Sequence, residues 1–391
     1  MTAPPRSLQK HRMATPSDPC PWSGLLSPAE RERGLLAPYA MHSADSAGRR
    51  YPEPEHPYRG SYQRDRDRIL HSAAYRRLSG KTQVFTGEMG DYHRTRLTHT
   101  LEVASLARTI GRALRLNEDL IEALALLHDI GHPPFGHAGE DALNACLAAE
   151  GGFSHNRHAL TLVEEIEHRH ESFPGLNLTA EVLAGQASRA GLDPLGPGPL
   201  LETQVVDAAD SITYDAHDTD DAVKLGLVRI EELLALPLID RCFQTVRQRA
   251  GDLSGERLRK AIVHELIDVQ VGNVLEASGE FLARCNWSDT SAPRQSAFRI
   301  GPDPALTAEK RQLEEFLYAH VYRHERLVAV RGHAQEKLRQ LWATLVDNPC
   351  LMPADFQQRA QQHGLPRSAA EYVAGMTDRY CQQCYQEWVA G

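Results

Sequence analysis

Apolar residues recur at every third or fourth position through much of this chain, which is the spacing of an amphipathic helix. The clearest stretch comprises Leu101, Ala104, Ala107, Ile110 and Leu114. A second stretch comprises Leu120, Ile121, Leu124 and Leu127. Asn117 is a suitable N-cap for this second helix, and Gly131 with Pro133 ends it. The pattern therefore predicts two consecutive helices joined by a short turn.

Helical spacing also dominates the rest of the chain. Further helices are predicted from about His137, from about Asn156 to Arg169, and from about Leu201 to the C-terminus. The last of these is interrupted over residues 288–304, and the Gly- and Pro-rich residues 191–199 predict a surface loop. Because no alternating apolar and polar stretch of consequence occurs, we expect an all-α protein.

Three regions follow from these patterns. Residues 1–45 are rich in Pro, Ser and Arg without sustained periodicity, and they predict a mobile N-terminal extension. Residues 46–230 are predicted to form a helical core, and residues 231–391 a helical C-terminal portion packed on it.

The composition is that of a globular protein: 41% of the 391 residues are hydrophobic and 24% are charged. The net charge of −9 argues against broad attraction to nucleic acid, so a polyphosphate would need a local basic pocket or a metal. Seven scattered cysteines do not form a disulfide framework, and no apolar run has the length of a membrane span. These features predict a cytoplasmic protein with reduced cysteines and no membrane contact.

Candidate metal ligands begin with the adjacent pair His128 and Asp129, predicted at the end of a helix. Such a pair is also what a solvated helix end shows, because an imidazole suits the negative end of the helix dipole. His99, near the start of the preceding helix, and Asp210, near the start of a later one, add two further ligand types. Two imidazoles and two carboxylates suit a divalent cation such as Mn²⁺, Mg²⁺, Fe²⁺ or Zn²⁺.

One predicted helix carries an unusual acidic face. It presents, at three- and four-residue steps, Asp207, Asp210, Tyr214, Asp218 and Asp221. Like charges at this spacing repel one another unless the face is solvated or neutralised by a cation. The face therefore either lies in water or belongs to a cation site.

The motifs together resemble a known family. The chain contains RDRDRILHSAAYRRLSGKTQVF, RTRLTHTLEV, HDIGHPPFGHAGE, FSHN, QVVDAADSITYDAHDTDDAV and AGMTDRY, in this order. From about residue 50 to the C-terminus it is similar to the bacterial deoxyguanosinetriphosphate triphosphohydrolase family, including its shorter members, within the HD-domain superfamily. The resemblance implies an HD-type helical core. It also implies a single divalent metal on His99, His128, Asp129 and Asp210.

The resemblance implies hydrolysis of a deoxynucleoside triphosphate to a deoxynucleoside and tripolyphosphate. It places a catalytic pair on His137 and Glu140, whose spacing puts them on one helix face, and it turns His155 towards the phosphates. From the residues alone, His137 and Glu140 could be a surface pair, and His132 could orient the turn or bind the metal. Whether His137 acts as acid, base or nucleophile stays open, with general acid–base catalysis preferred.

The resemblance also assigns substrate contacts. Arg96 is three residues before His99 and would hold a phosphate, while Tyr214 would exclude a 2′-hydroxyl and Asp218 with Gln83 would bind the 3′-hydroxyl. Lys81, Arg94 and Arg77 make the neighbourhood basic, although each could instead pair with the acidic helix. No motif indicates which base is preferred.

Cofactor and partner expectations follow from the same resemblance. Mg²⁺ or Mn²⁺ is the expected metal, with Fe²⁺, Ni²⁺ and Zn²⁺ left open, and the substrate is a dNTP. A homo-oligomer, a dNTP effector and a weak contact with single-stranded DNA are implied as well. Two alternatives remain: an HD-domain nucleotidase or phosphodiesterase, and a non-catalytic HD scaffold that binds nucleotides.

Overall fold

A computed structural model of the chain describes residues 24–83, 94–192, 196 and 198–391. Within these residues the regular secondary structure is helical, and β-pairing is limited to isolated bridges such as the one between Thr82 and Thr95. The prediction of an all-α protein is confirmed. None of the described helices is both long enough and apolar enough to cross a membrane.

The first half of the chain forms nine α-helices in the described residues. Their bounds are α1 (Pro28–Leu35), α2 (Ser61–Leu70), α3 (Ala73–Arg77), α4 (Arg96–Ala113), α5 (Glu118–Leu127), α6 (Gly136–Cys146), α7 (His155–Thr161), α8 (Ala180–Arg189) and α9 (Leu201–Lys224). A π-helical turn over Leu162–Ile166 extends α7. Helices α4, α5 and α9 pack on one another and form the centre of this half.

The second half contains nine more. They are α10 (Ile230–Leu233), α11 (Pro237–Ala250), α12 (Gly255–Arg284), α13 (Ser291–Gln295), α14 (Pro304–Leu317), α15 (Glu325–Asp347), α16 (Ala354–His363), α17 (Leu365–Ala374) and α18 (Asp378–Tyr385). The predicted interruption over residues 288–304 thus holds the short helix α13.

Helices α4 and α5 follow the predicted pattern with one difference. Ala104, Ala107 and Ile110 are fully or almost fully buried, whereas Leu101 is 50% exposed. The buried face of α4 begins instead with the polar Arg96 and His99. In α5, the Asn117 side chain accepts a hydrogen bond from the Leu120 amide at 3.3 Å, as expected of an N-cap.

The predicted N-terminal extension needs a correction over residues 24–45. Ser27 caps α1 through a reciprocal capping box with Glu30, and Ala40 and Met41 are buried in the main hydrophobic core. The Met41 amide also donates to the buried Glu202 carboxylate at 2.8 Å. Apolar contacts supplied by distant helices hold this segment, and a local periodicity count does not register them. Residues 1–23 lie outside the described residues.

Helix α6 lies in the first half of the chain but packs against helices of the second half. Its Ala142 and Leu143 are buried in a hydrophobic cluster with Leu338 and Leu341 of α15 and with residues of α17. A separate cluster joins the end of α9 to α11, α12 and α14. The C-terminal helices therefore pack directly against the elements that carry the candidate site. The boundary at residue 230 stays a prediction.

Candidate metal centre and active site

The predicted metal ligands converge at the junction of α4, α5 and α9. Asp210 Oδ1 lies 3.1 Å from His99 Nε2 and 3.7 Å from His128 Nε2. Asp129 Oδ1 lies 3.6 Å from the same His128 nitrogen. Donor atoms of His99, His128 and Asp210 all lie within 4.8 Å of one another, which is close enough for one cation to contact all three.

His128 shows how well these residues fit a metal. Its Nδ1–H donates to the Ala125 carbonyl oxygen at 2.6 Å, so the lone pair of the ring is on Nε2. That Nε2 is buried and has no hydrogen-bond partner among the described residues, although it faces the Asp129 and Asp210 carboxylates. A buried acceptor beside two carboxylates is costly in the absence of a cation, so the chemistry of the centre fits a divalent metal.

Two arginines offset the charge of the carboxylates. Arg96 is 1% exposed, and its Nη1 donates to Asp129 Oδ2 at 2.7 Å. Burial opposes ionisation of Asp129, but Arg96, His128 and His132 together outweigh burial and hold the pKa of that carboxyl well below its usual range. Arg189, at the end of α8, lies 3.6 Å from Asp210 Oδ2. Arg96, which was predicted to bind a phosphate, therefore uses one of its N–H groups to bind the candidate metal ligand Asp129.

His137, Glu140 and His155 form one connected group. Glu140 Oε1 accepts from the ring Nδ1 of His155 at 2.8 Å and from its backbone amide at 2.9 Å. Glu140 Oε2 lies 3.4 Å from His137 Nδ1. Burial would raise the pKa of Glu140, but the hydrogen bonds from both histidines outweigh it and keep the carboxylate charged. Glu140 therefore orients two imidazoles, and the tighter contact is to His155.

His132 lies between this group and the metal centre. Its ring stacks on His155 with centroids 3.7 Å apart, and its Nε2 lies 3.2 Å from Asp129 Oδ1. Asp129, His132 and His155 therefore form a second set of ligand atoms close enough to hold an ion. The structure places His132 beside a ligand, which is compatible with an orienting role.

A cavity of about 720 Å³ opens beside these histidines. Its wall includes Gln83, His137 and Tyr214, together with C-terminal residues such as Arg311 and Tyr322. The Tyr214 and Tyr322 rings are nearly parallel, with centroids 6.2 Å apart. The volume lies within the range of small-molecule sites, and the wall combines aromatic rings with ionisable groups.

The residues assigned to the sugar carry unsatisfied oxygen atoms. Gln83 Oε1 and Asp218 Oδ2 are buried and have no hydrogen-bond partner among the described residues. Burial, together with the charges of Asp221 and Asp215, raises the pKa of Asp218 well above its usual value. Burial and the neighbouring Asp218 carboxyl likewise raise the pKa of Tyr214, so the phenol keeps its proton. Gln83 lines the cavity, whereas Asp218 is buried behind Tyr214 and is not one of the wall residues.

The acidic face of α9 is neutralised by arginines rather than by water alone. Arg189 Nη2 lies 2.6 Å from Asp207 Oδ1, and Arg94 Nη1 donates to Asp221 Oδ2 at 2.7 Å. Lys81 points elsewhere, donating to the carbonyl oxygens of His132 at 2.6 Å and Ala374 at 2.9 Å. Of the basic residues singled out in the sequence, Arg94 thus pairs with the acidic helix.

Asp378, at the start of α18, ties the C-terminal portion to the site. Its Oδ2 accepts from the amide and the hydroxyl of Thr82 at 3.0 and 2.6 Å, and its Oδ1 accepts from the Phe135 amide at 3.0 Å. Thr82 precedes Gln83, and Phe135 begins the left-handed turn that places His137, with a φ of 62°. One carboxylate therefore holds the backbone on both sides of the cavity.

Arg189, Glu102 and His217 were not assigned roles from the sequence. Arg189 contacts Asp207 and Asp210 from another helix, and no local spacing indicates that pairing. His217 follows Tyr214 on α9 and lies beside His99, with ring centroids 5.5 Å apart. Glu102 is one turn after His99 on α4, which was the available signal.

Two protein-family models match this chain. The HD-domain family model matches residues 96–215, and the model of a phosphohydrolase-associated domain matches residues 300–387. The first range contains all four candidate ligands, and the second contains α14 to α18, of which α14 and α15 line the cavity. The chain is an HD-domain phosphohydrolase.

Similar full-length proteins share one description. The deoxyguanosinetriphosphate triphosphohydrolase-like protein of Nitrosomonas europaea is 40% identical over 92% of this chain and 99% of its own length. Those of Ralstonia pickettii and Thiobacillus denitrificans are 42% and 41% identical, each over 89% of this chain and over 92% and 96% of their own lengths. On this similarity, the chain belongs to the deoxyguanosinetriphosphate triphosphohydrolase-like family of HD-domain proteins.

Proposed function

We propose that this chain hydrolyses deoxynucleoside triphosphates to the deoxynucleoside and tripolyphosphate in a metal-dependent reaction. The observation that carries the proposal is the position of the cavity. Gln83, His137 and Tyr214 share its wall, and His137 is connected through Glu140 and His155 to the ring of His132 beside Asp129. The same wall can therefore bind a sugar at one end and present an acid–base group at the other.

His99, His128, Asp129 and Asp210 would hold the metal. A divalent cation held by these residues would supply positive charge to the reacting phosphate and would make water a better nucleophile at neutral pH. Mg²⁺ or Mn²⁺ suits the two carboxylates, and the two imidazoles also accommodate Fe²⁺, Ni²⁺ or Zn²⁺. Arg96 fixes Asp129 through Nη1, and we assign its remaining N–H groups to the phosphates.

We assign proton transfer to the leaving 5′-oxygen to His137. Its side chain is 55% exposed towards the cavity, and Glu140 contacts its Nδ1, which leaves Nε2 free to act on substrate. The water oxygen bonds to the α-phosphorus while the bond to the 5′-oxygen breaks. His137 gives the 5′-oxygen its proton, one proton of the water stays on tripolyphosphate as its hydroxyl, and the other passes to solvent, from which His137 regains its proton. His155, held by the same carboxylate, faces the phosphates.

Selection of a deoxyribose is assigned to Tyr214, Asp218 and Gln83. We assign the Tyr214 ring, which lines the cavity, to exclusion of a 2′-hydroxyl, and the unpartnered oxygens of Asp218 and Gln83 to the 3′-hydroxyl. Buried polar atoms without partners discriminate strongly, because the wrong ligand leaves them unsatisfied. The base would lie towards α14 and α15.

One rival is favoured by a specific observation. The second ligand set of Asp129, His132 and His155 would suit a binuclear HD phosphodiesterase or nucleotidase. Such an enzyme would bind two ions per chain and release orthophosphate from a monophosphate or open a cyclic nucleotide. A nucleotide-binding scaffold without catalysis is the other alternative, and we also propose, from the family, a homo-oligomer with an effector dNTP and a weak single-stranded DNA contact.

The test is product analysis. Purified protein with Mn²⁺ or Mg²⁺ is incubated with each of the four dNTPs and with GTP, alone and with a second dNTP, and products are separated by chromatography. We expect deoxynucleoside and tripolyphosphate from at least one dNTP, and much less product from GTP. Orthophosphate from a deoxynucleoside monophosphate, incubated in parallel, would favour the nucleotidase, and no turnover of any dNTP would favour the scaffold.

Variants assign the roles. His128→Ala should lose both metal and activity. Glu140→Gln and His137→Ala should keep the metal and lower kcat by about 10²- to 10⁴-fold, the usual contribution of a general acid–base group. The control Glu171→Gln alters an exposed carboxylate away from the site and should match wild type. Loss of the metal from His137→Ala would contradict the assigned roles.

A further inference from the structure

The His99 ring has a second neighbour on the side away from the metal centre. Its Nε2 faces Asp210, while its Nδ1 lies 3.5 Å from Nδ1 of His217. The other His217 nitrogen, Nε2, is hydrogen-bonded to a Glu102 carboxylate oxygen. The His217 side chain is buried, and the Glu102 side chain is 53% exposed. A continuous row of contacts therefore runs from the centre to the protein surface.

The donors and acceptors of this row allow one arrangement of protons. A His99 that offers the lone pair of Nε2 to a cation carries its proton on Nδ1, which must donate. His217 Nδ1 accepts that proton, so the His217 proton is on Nε2, which donates to Glu102. A carboxylate accepts only, and it ends the row. All three side chains are satisfied when His99 binds a metal through Nε2.

The two histidines of the centre are thus oriented by different means. His128 is fixed by the Ala125 carbonyl oxygen of its own helix. His99 has no such backbone partner for Nδ1 among the described contacts, and its orientation depends on His217 of α9 and Glu102 of α4. These helices also carry Asp210 and His99 themselves, so the row links two ligand-bearing elements.

We propose that His217 and Glu102 are positioning residues that set the affinity of the centre for its metal by holding His99 in its ligating orientation. The proposal rests on the metal centre proposed above. Partners of this kind raise the basicity of the imidazole and fix its tautomer, and their loss weakens metal binding by about 10- to 100-fold. Neither residue is among those that line the cavity.

The test measures metal binding directly, without substrate. Full-length protein is stripped with a chelator and titrated with Mn²⁺ by calorimetry. We expect the Kd of His217→Ala to rise by about 10- to 100-fold and that of Glu102→Gln to rise less. His217→Gln should stay close to wild type, because its amide oxygen can accept from His99 and its amide nitrogen can donate to Glu102. The matched control is Glu118→Gln, which removes a partly exposed carboxylate bound to Arg112 instead.

The outcomes separate positioning from a merely structural role. Unchanged Mn²⁺ affinity in His217→Ala and Glu102→Gln would overturn the proposal, as would a lower melting temperature of the metal-free protein with no change in affinity. If His217→Ala does not fold, Glu102→Gln and His217→Gln still decide the question. Mn²⁺ binding that disappears in His128→Ala, with no hydrolysis of any dNTP, would defeat the proposed function alone. A wild type that binds no Mn²⁺ would defeat both.

Discussion

Tyr214 shows how one side chain can serve two purposes in this molecule. Its ring forms part of the cavity wall, and burial with the adjacent Asp218 carboxyl raises the pKa of its phenol. The bulk of the ring and the polarity of the hydroxyl are therefore separable contributions. On the proposed function, the bulk would act on a 2′-hydroxyl, whereas the phenol hydroxyl faces the Asp218 carboxyl.

Removing the ring should weaken sugar discrimination. In Tyr214→Ala we expect the ratio of kcat/KM for a dNTP to that for the matching ribonucleotide to fall by about 10- to 100-fold, because space opens beside C2′. Tyr214→Phe keeps the bulk and should retain most of the ratio. Steady-state kinetics with dGTP and GTP measure both. Equal loss of discrimination in the two variants would show that the hydroxyl, not the bulk, excludes the ribonucleotide.

At the scale of elements, the turn after α5 depends on a buried lysine. Lys81 is 2% exposed and joins the His132 carbonyl to the Ala374 carbonyl at the end of α17. Burial, reinforced by the positive charge of Arg77, lowers the pKa of this amine from 10.5 to about 7. The connection between the HD helices and the C-terminal helices is therefore sensitive to pH.

The direction of that sensitivity follows from proton counting. Between about pH 7 and 10.5 the unfolded chain holds a proton on Lys81 that the folded chain has lost, so folding is favoured as pH rises. Relative to Lys81→Met, the free energy of unfolding of wild type should rise by up to about 1.4 kcal/mol per pH unit in this window. Urea unfolding at a series of pH values measures it, and a flat difference would mean that the buried amine keeps its proton.

Over the whole molecule, the C-terminal helices take part in building the site. They line the cavity through α14 and α15, share a hydrophobic cluster with α6, and supply Asp378, which holds Thr82 and Phe135. Residues 300–387 match a domain described as associated with phosphohydrolases, which agrees with this arrangement. The HD helices alone would lack one wall of the cavity and the support of two of its loops.

The helical class and the convergence of His99, His128, Asp129 and Asp210 could be predicted from the sequence, because spacing and motifs indicate both. The side chains that contact these ligands could not be predicted. Arg189 and Asp210 lie on different helices, Glu102 and His217 are 115 residues apart, and nothing local selects them. Leu101 was predicted to be buried but is exposed, because Arg96 and His99 occupy the buried face of α4. A count of apolar positions does not detect a buried polar site.

The ion pairs of Arg96 with Asp129 and Arg189 with Asp210 have a consequence for how the enzyme is supplied with its metal. Because arginine charge already offsets the two carboxylates, we expect the fold to persist when the cation is removed. We expect chelation to abolish activity while the far-ultraviolet circular dichroism is retained, and activity to return when Mn²⁺ is added. Collapse of the helical signal on chelation would contradict this.

A chain that folds first and binds its metal afterwards takes the metal from the free ions available in its surroundings. Affinity for first-row ions at nitrogen and oxygen ligands rises along a fixed order, so the ion carried in the cell reflects availability as much as preference. The activity of such an enzyme would follow changes in metal supply without any change in the amount of protein.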